Sequence, residues 1–217
     1  MRVVDLSQPV VTGMQVYPGD PEVTLTPVAT LAEDGFQVAS VHAGTHTGTH
    51  IDAPLHSIAG GAPVDRIAVE RLVATARIVR CPGLKPHQHL RWADVEAGLR
   101  GLQSGSIVLF ETGWSQHFGT ADYLAHPVLS PEIAEALLAA GVSVVGVDTL
   151  NPDPTLANGG RLPFHTAFLG AGGVIIENLT NLAAVTWEDP LVSALPLPLA
   201  GMDGSPVRAV ALDLSGH

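Results

Sequence analysis

Between positions 42 and 56 the chain reads His42-Ala43-Gly44-Thr45-His46-Thr47-Gly48-Thr49-His50-Ile51-Asp52-Ala53-Pro54-Leu55-His56. His46, His50 and Asp52 bring two imidazoles and one carboxylate together, and His56 follows shortly after. Neutral imidazole and carboxylate are the ligands of zinc, manganese and iron sites that keep positions open for water. The four-residue spacing of His42, His46 and His50 would put them on one face of a helix, but the intervening glycines and threonines disfavour helix. The glycines suit a loop that wraps closely around something small. In an extended segment His50 and Asp52 share a face, because side chains alternate along a strand. A short strand at a loop end would then aim both at one ion. The spacing is not that of the helical His-Glu-x-x-His of zinc peptidases. The competing reading is a polar loop whose histidines bond to backbone. Three ligand-type residues followed by a further acid–base candidate favour a metal-dependent hydrolase.

Composition narrows the classes further. The 217 residues, 46% hydrophobic and 14% charged, are enough for a self-sufficient core, and one domain over 1–217 is expected. No apolar run approaches the ~20 residues that span a bilayer, so no membrane partner is expected. Met1-Arg2-Val3-Val4-Asp5 carries an acid where a secretory signal needs an apolar stretch, and the lone Cys81 cannot form an internal disulfide. Both point to a cytoplasmic protein. Ten Lys and Arg stand against 21 acids, for a formal charge of −11. Without a basic stripe, nucleic-acid binding is excluded on electrostatic grounds.

The elements that must position the histidines are short. Val3–Leu6, Gly35–Ala43, Thr75–Arg80, Ser106–Phe110, Val142–Val147, Val174–Glu177 and Pro206–Leu214 read as strands. Arg91–Leu102 reads as a helix. A second helix starts at Ser130 as N-cap with Pro131 at the first helical position, and ends before Gly141. Tyr17-Pro18-Gly19-Asp20-Pro21 is a rigid turn. Many strands and few helices predict an α/β or α+β layered domain.

The segment from His46 to His56 resembles the signature of the cyclase superfamily, which includes bacterial kynurenine formamidase and isatin hydrolase. The likeness continues in Tyr17-Pro18-Gly19-Asp20, in Gly146-Val147-Asp148-Thr149, in His165 with Glu177 twelve residues later, and in Asp203-Gly204-Ser205-Pro206-Val207-Arg208-Ala209. The resemblance implies a swivelling β/β/α domain with a mixed central sheet or barrel-like core and few helices. It also implies a homodimer or homotetramer with the active site near a subunit contact. Carried over by position, His46, His50 and Asp52 resemble the ligands of one metal, and Asp52, His165 and Glu177 those of a second. Two zinc ions are the implied cofactor, with manganese as the alternative. His56 resembles the general acid/base. Tyr17 stands where kynurenine formamidases carry a substrate-contacting tryptophan.

The residues bear on these roles separately. Two divalent ions would polarise a carbonyl and bring the pKa of water down towards ~7. His56, with an ordinary pKa near 6.5, can pass a proton to a leaving nitrogen; the alternative is a histidine that orients Asp52. Glu177 closes an apolar strand and needs a partner if buried: a metal, or Arg208 if it is only a strand end. His165 could equally be an ordinary histidine at a helix start, and Tyr17 a packing residue. Trp92, Trp114 and Trp187 are pocket or core; His42 is a strand residue; His87, His89, His117, His126 and His217 are expected to be solvated. Cys81, before Pro82-Gly83, is not expected to be a nucleophile.

Thr166 follows His165 where kynurenine formamidases carry a second histidine, and Tyr17 replaces their tryptophan. Three readings follow. One is a hydrolase of a small-molecule amide, an aryl formamide such as N-formylkynurenine. The second is a cyclic-amide hydrolase of the isatin hydrolase type with one manganese ion. The third is a non-catalytic metal- or ligand-binding protein on the same fold.

Overall fold

Ile107-Val108-Leu109-Phe110, Val144-Val145-Gly146-Val147 and Val174-Ile175-Ile176 are apolar on both faces, as strands covered on both sides must be. In the structure, a computed structural model that describes residues 1–156 and 160–215, they form the middle of a curled sheet. The strands are β1 (Arg2–Asp5), β2 (Thr24–Ala29), β3 (Val38–His42), β4 (His50–Asp52), β5 (Val73–Arg80), β6 (His89–Leu90), β7 (Ile107–Glu111), β8 (Val128–Leu129), β9 (Val144–Val147), β10 (Val174–Glu177), β11 (Leu191–Ser193), β12 (Gly204–Pro206) and β13 (Val210–Asp213). Among the described residues there are four α-helices: α1 (Leu31–Asp34), α2 (Trp92–Val95), α3 (Pro131–Ala139) and α4 (Pro163–Gly170).

Nine strands join in the order β1-β13-β11-β5-β7-β9-β10-β4-β12. Pairs β5–β7, β7–β9 and β9–β10 are parallel; the others are antiparallel. The fold is thus mixed α/β with a half-barrel sheet and few helices. The continuation of β1 reaches across to the residues after β10: Leu6 N–H donates to Ala209 O and Thr180 N–H to Leu6 O, each at 2.9 Å, and Ser7 bridges Leu179. Strand alternation divides the core. Ile51, Ile107, Leu109, Val144, Val174 and Ile176 pack with Leu6, Val192 and Ala211 on one face. Val108, Phe110, Val145, Val147 and Ile175 pack on the other under Ile133 and Leu137 of α3 and Phe164 and Phe168 of α4.

Three expectations need correction. Arg91–Leu102 is not one helix: α2 ends at Val95 and a 3₁₀ turn, Glu96–Leu99, follows. Gly98 packs so close to β5 that a Cβ there would meet Val79 Cγ1 at 3.3 Å. Gly35–Ala43 is strand only from Val38, because Gly35 at φ 75° ends α1. Pro206–Leu214 is two strands at distant places in the sheet, β12 beside β4 and β13 beside β1. Ser130 does precede α3, but its side chain makes no capping bond.

Gly146 of β9 leaves no room for a side chain: a Cβ there would sit 2.6 Å from Leu109 Cδ2 and 2.8 Å from Leu179 Cδ1. Gly146→Ala is expected to destabilise the fold by about 1–3 kcal/mol, as overpacking of a filled core does. A lowered urea midpoint at unchanged slope would show it.

Candidate active site

Strand β4 is three residues long and buried throughout. Ile51 points into the inner core, so His50 and Asp52 point the other way, towards α4. In the antiparallel register His50 stands opposite Glu177, and Asp52 opposite Ile175, which puts Glu177 on the same face as the pair. Helix α4 lays His165 over them. His50 Nε2 is 3.3 Å from Asp52 Oδ1 and 3.3 Å from Glu177 Oε2, and His165 Nε2 is 3.3 Å from Asp52 Oδ2 and 3.2 Å from Glu177 Oε1. His46 joins from the preceding loop, its Nδ1 2.7 Å from Asp52 Oδ1. Gly48, at φ 60°, supplies the left-handed turn between that loop and β4.

The outer nitrogens fix how the imidazoles point. His50 Nδ1 donates to Gly48 O at 2.8 Å; a carbonyl can only accept, so Nε2 is left for the carboxylates. His165 Nδ1 lies 2.7 Å from Asp153 Oδ2, and Asp153 also accepts from Phe164 N–H at 2.9 Å and His165 N–H at 3.0 Å. One carboxylate therefore caps α4 and orients its histidine. Asp203 Oδ2 is 3.0 Å from His46 Nε2 and 3.5 Å from His56 Nδ1, and Asp203 Oδ1 accepts from Thr45 Oγ1 at 2.9 Å. Gly204 makes this approach possible, since a Cβ would stand 2.8 Å from His46 Cε1.

Several buried atoms have no hydrogen-bond partner, and His50 Nε2, Asp52 Oδ2 and Glu177 Oε1 are among them. An orphaned buried carboxylate oxygen is expensive, and three orphans converging on one spot fit a bound cation. Ligand atoms of His50, Asp52 and Glu177, and separately of His46, Asp52 and His56, lie within 4.8 Å of one another. The second set adds His56, while His165 meets Asp52 and Glu177 through its contacts. Without a cation the carboxylates hold protons on the imidazoles instead. Burial resists charge on His50, but Asp52 and Glu177 outweigh it and hold its pKa up at about 10. His165, against the same burial, is lifted well above the usual range by Asp153, Asp52 and Glu177. Burial also opposes ionisation of Asp52, yet the facing imidazoles hold it well below the usual carboxylate range.

A cavity of about 250 Å³ opens over this cluster, lined also by Tyr17, Asp20, His56, Leu150, Leu162 and Asn178. His56 is at its rim, its ring 4.1 Å from His46 and 5.6 Å from His165. Tyr17 lines the cavity and also packs on the Trp114, Tyr123 and Leu150 cluster, so both of its expected roles are compatible with its place. Glu177 has no contact with Arg208, which pairs with Asp5 at 2.6 Å. Trp114 is core, and Trp187 and Trp92 are partly buried against it; none of the three lines the cavity. Cys81 is buried and its thiol is pushed up to about 11, by burial first.

His126 corrects the sequence reading. It is buried, not solvated: Nδ1 donates to Pro127 O at 2.9 Å and Nε2 accepts from Thr155 Oγ1 at 2.8 Å. Burial lowers its pKa. Thr155 accepts from Asn151 Nδ2 at 2.8 Å, and Asn151 Oδ1 accepts from Asp153 N–H at 2.7 Å, so this chain braces the carboxylate that orients His165. His117 is half-buried beside Trp114, His87 and His89 are exposed, and His217 lies outside the described residues. Asp153, Asp203 and Asn178 went unassigned in the sequence. Asp203 belongs to the Asp203-Gly204-Ser205-Pro206 segment, whose residue types signal a turn. Asp153 reaches α4 from ten residues upstream of its start, where no local capping pattern shows.

Fold and cluster together define a cyclase-family protein: a family profile described as "Putative cyclase" matches residues 4–154, and the chain belongs to that family of hydrolases. It is 36% identical over 222 residues to a kynurenine formamidase of Salinibacter ruber (strain DSM 13855 / M31), covering 98% of each chain. An isatin hydrolase bound to the product analogue thioisatinate superposes with TM-score 0.86 at 25% identity, over 97% of this chain and 92% of the other. Isatin hydrolase A from Ralstonia solanacearum gives 0.82 at 29% identity, over 97% and 91%. A potential metal-dependent hydrolase with cyclase activity gives 0.79 at 28%, over 97% and 96%.

Two outcomes follow. Asp153→Asn is expected to weaken zinc affinity by about 10–100-fold, the usual effect of losing a carboxylate behind a ligand histidine, measured by chelator competition. A cation must displace the imidazole protons, and their raised pKa values keep that competition alive at neutral pH. Apparent zinc affinity should therefore rise from pH 6 to pH 8, by up to about tenfold per unit for each proton displaced; a pH-independent affinity would contradict this arrangement.

Proposed function

We propose that the protein is a metal-dependent hydrolase of a small-molecule amide C–N bond, with an aryl formamide such as N-formylkynurenine as substrate. The observation that carries this reading is the convergence of His50 Nε2, Asp52 Oδ2 and Glu177 Oε1, all buried and without hydrogen-bond partners among the described residues, beneath a cavity that His50 and Glu177 line. His46, His50, Asp52, His165 and Glu177 would hold two divalent ions, zinc or manganese, with Asp52 placed between the two groups of imidazoles. Bound there, the ions would supply Lewis-acid polarisation of the amide carbonyl and a lowered pKa for water.

The chain's own groups do the rest. Asp203 faces His56 Nδ1 at 3.5 Å, which leaves Nε2 as the working nitrogen at the cavity rim. From there His56 takes the proton of the attacking water and returns it to the departing nitrogen, without which an amine leaves poorly. Leu150, Leu162 and Tyr17 give the cavity apolar walls for an aryl ring, and Tyr17 is held by the Pro18-Gly19-Asp20 turn, where Asp20 N–H donates to Tyr17 O at 3.0 Å. The kynurenine formamidase relative supports the formamide; the isatin hydrolase likenesses keep a cyclic amide as the alternative substrate.

Metal-dependent hydrolysis of N-formylkynurenine, followed by absorbance at kcat/KM of about 10⁴ M⁻¹s⁻¹ or more, is the expected result. Folded, metal-loaded protein that ignores this substrate but opens isatin would move the assignment to cyclic amides. Inactivity on both would favour a binding protein. His56→Ala should keep its metal while kcat falls by about 10²–10⁴-fold; unchanged turnover would remove His56 from the reaction.

A further inference from the structure

Asn178 directly follows Glu177, and both line the cavity. Consecutive residues of a strand point to opposite faces, so the strand geometry must break between them. It does: Asn178 stands at φ 56°, in the left-handed region that asparagine tolerates better than most residues. Its backbone groups are both engaged, since Asn178 N–H donates to Thr149 O at 3.0 Å and Asn178 O accepts from Thr49 Oγ1 at 2.7 Å. The side-chain amide is what the residue has left to offer, and the residue is only 1% exposed.

Two contacts fix which way that amide faces. Asn178 Nδ2 lies 3.4 Å from Leu150 O, and a carbonyl only accepts, so the NH2 end is there. The other end, Oδ1, accepts from the O–H of Tyr123 at 2.8 Å. Tyr123 is fully buried and packs with Trp114 and Leu150, so the amide is clamped. An amide nitrogen carries two hydrogens. One goes to Leu150 O in a long bond; the other has no acceptor among the described residues. Asn151, a second amide in the cavity wall, is engaged instead: its Nδ2 donates to Thr155 Oγ1 at 2.8 Å and faces His126 Nε2 at 3.4 Å. A buried donor hydrogen without an acceptor is costly, and the one on Asn178 borders a cavity that admits a ligand.

We propose that Asn178 Nδ2 donates to a second carbonyl oxygen of the substrate, borne on the ring carbon next to the amide nitrogen, and so selects ortho-acyl aryl amides over other aryl amides. The inference rests on the hydrolase reading above. The Cα atoms of Glu177 and Asn178 are about 3.8 Å apart, as consecutive residues must be. A molecule whose amide lies over Glu177 therefore presents its neighbouring substituent to Asn178. An oxygen at that place is the acceptor the amide lacks, and N-formylkynurenine and isatin both carry one there. Leu150, whose carbonyl holds the amide, also lines the cavity, so ring and oxygen are placed together. A site built to hydrogen-bond a substrate group rejects the analogue without it, because the buried donor is then left unpaired.

The test compares positional isomers on the zinc-loaded full chain. Asn178→Gly accepts the left-handed backbone and removes the donor. It should lower kcat/KM on ortho-formamidoacetophenone by about 5–100-fold more than on the meta isomer. Calorimetric titration with ortho- and meta-aminoacetophenone reads the same contrast without turnover: the wild-type protein should bind the ortho isomer more tightly, and Asn178→Gly should abolish the difference. Asn178→Asp keeps an acceptor for Tyr123 but, ionised, has no donor, and it should abolish the difference as well. Zinc content and circular dichroism show that each variant is intact. Equal losses on both isomers, a binding preference that survives in both variants, or a wild-type protein that binds the isomers alike would overturn the proposal. If neither formamide is hydrolysed, the formamidase reading falls, and the titrations alone decide the role of Asn178.

Discussion

The constraint on which the structure turns is that Asp52 and Glu177 are buried on one face of the sheet and, among the described residues, only imidazole answers them. Asp52 is fully buried and Glu177 nearly so. Removing a carboxylate from water is tolerable only where opposite charge and hydrogen bonds replace the hydration. His46, His50 and His165 supply that replacement, their pKa values raised against burial by the carboxylates they face. The same field that holds their protons suits a divalent ion. The histidines cannot turn away, because Gly48 O, Asp153 and Asp203 hold their far nitrogens.

The sheet delivers these groups with little room for error. The period of two along β4 and β10 separates Ile51 and Ile176, facing the inner core, from His50, Asp52 and Glu177, facing the site. A one-residue slip in their pairing would reverse every one of those assignments. Two long apolar runs and the packing of Gly146 against Leu109 and Leu179 hold the register. The face that carries the His–carboxylate cluster is thus an outcome of core packing, and the polar loop from Gly44 to Thr49 only completes it.

The strongest chemical and periodic signals were legible in the sequence. His50–Asp52 reads as a short strand from its alternation, Val174–Glu177 from its apolar run, and the start of α3 from Pro131. The half-barrel's curl was legible only through the family resemblance, because it arises from pairings such as β1 with β13 that leave no local pattern. Strand β2 carries two threonines, a proline and no long apolar run, so its propensity is weak. Asp153 and the burial of His126 escaped for a related reason. Both are settled by contacts across the βα connection after β9, where a charged or polar residue looks like any solvated loop residue. Asp203 escaped because a carboxylate in a Gly-rich turn ordinarily signals only the turn.

The pairing of β1 with β13 also sets a schedule. Arg2 meets Asp213 and Asp5 meets Val210, and β1 has no other neighbour in the sheet. On a ribosome adding about 5–20 residues per second, β1 waits roughly 10–40 s for β13. Through that interval Leu6 lacks Ala209, and β4 lacks β12 along one of its edges. Asp203, which orients His46, is likewise made long after it. Until β13 is made, the inner core therefore stays open where β1 should pair, and His46 lacks the carboxylate that orients it.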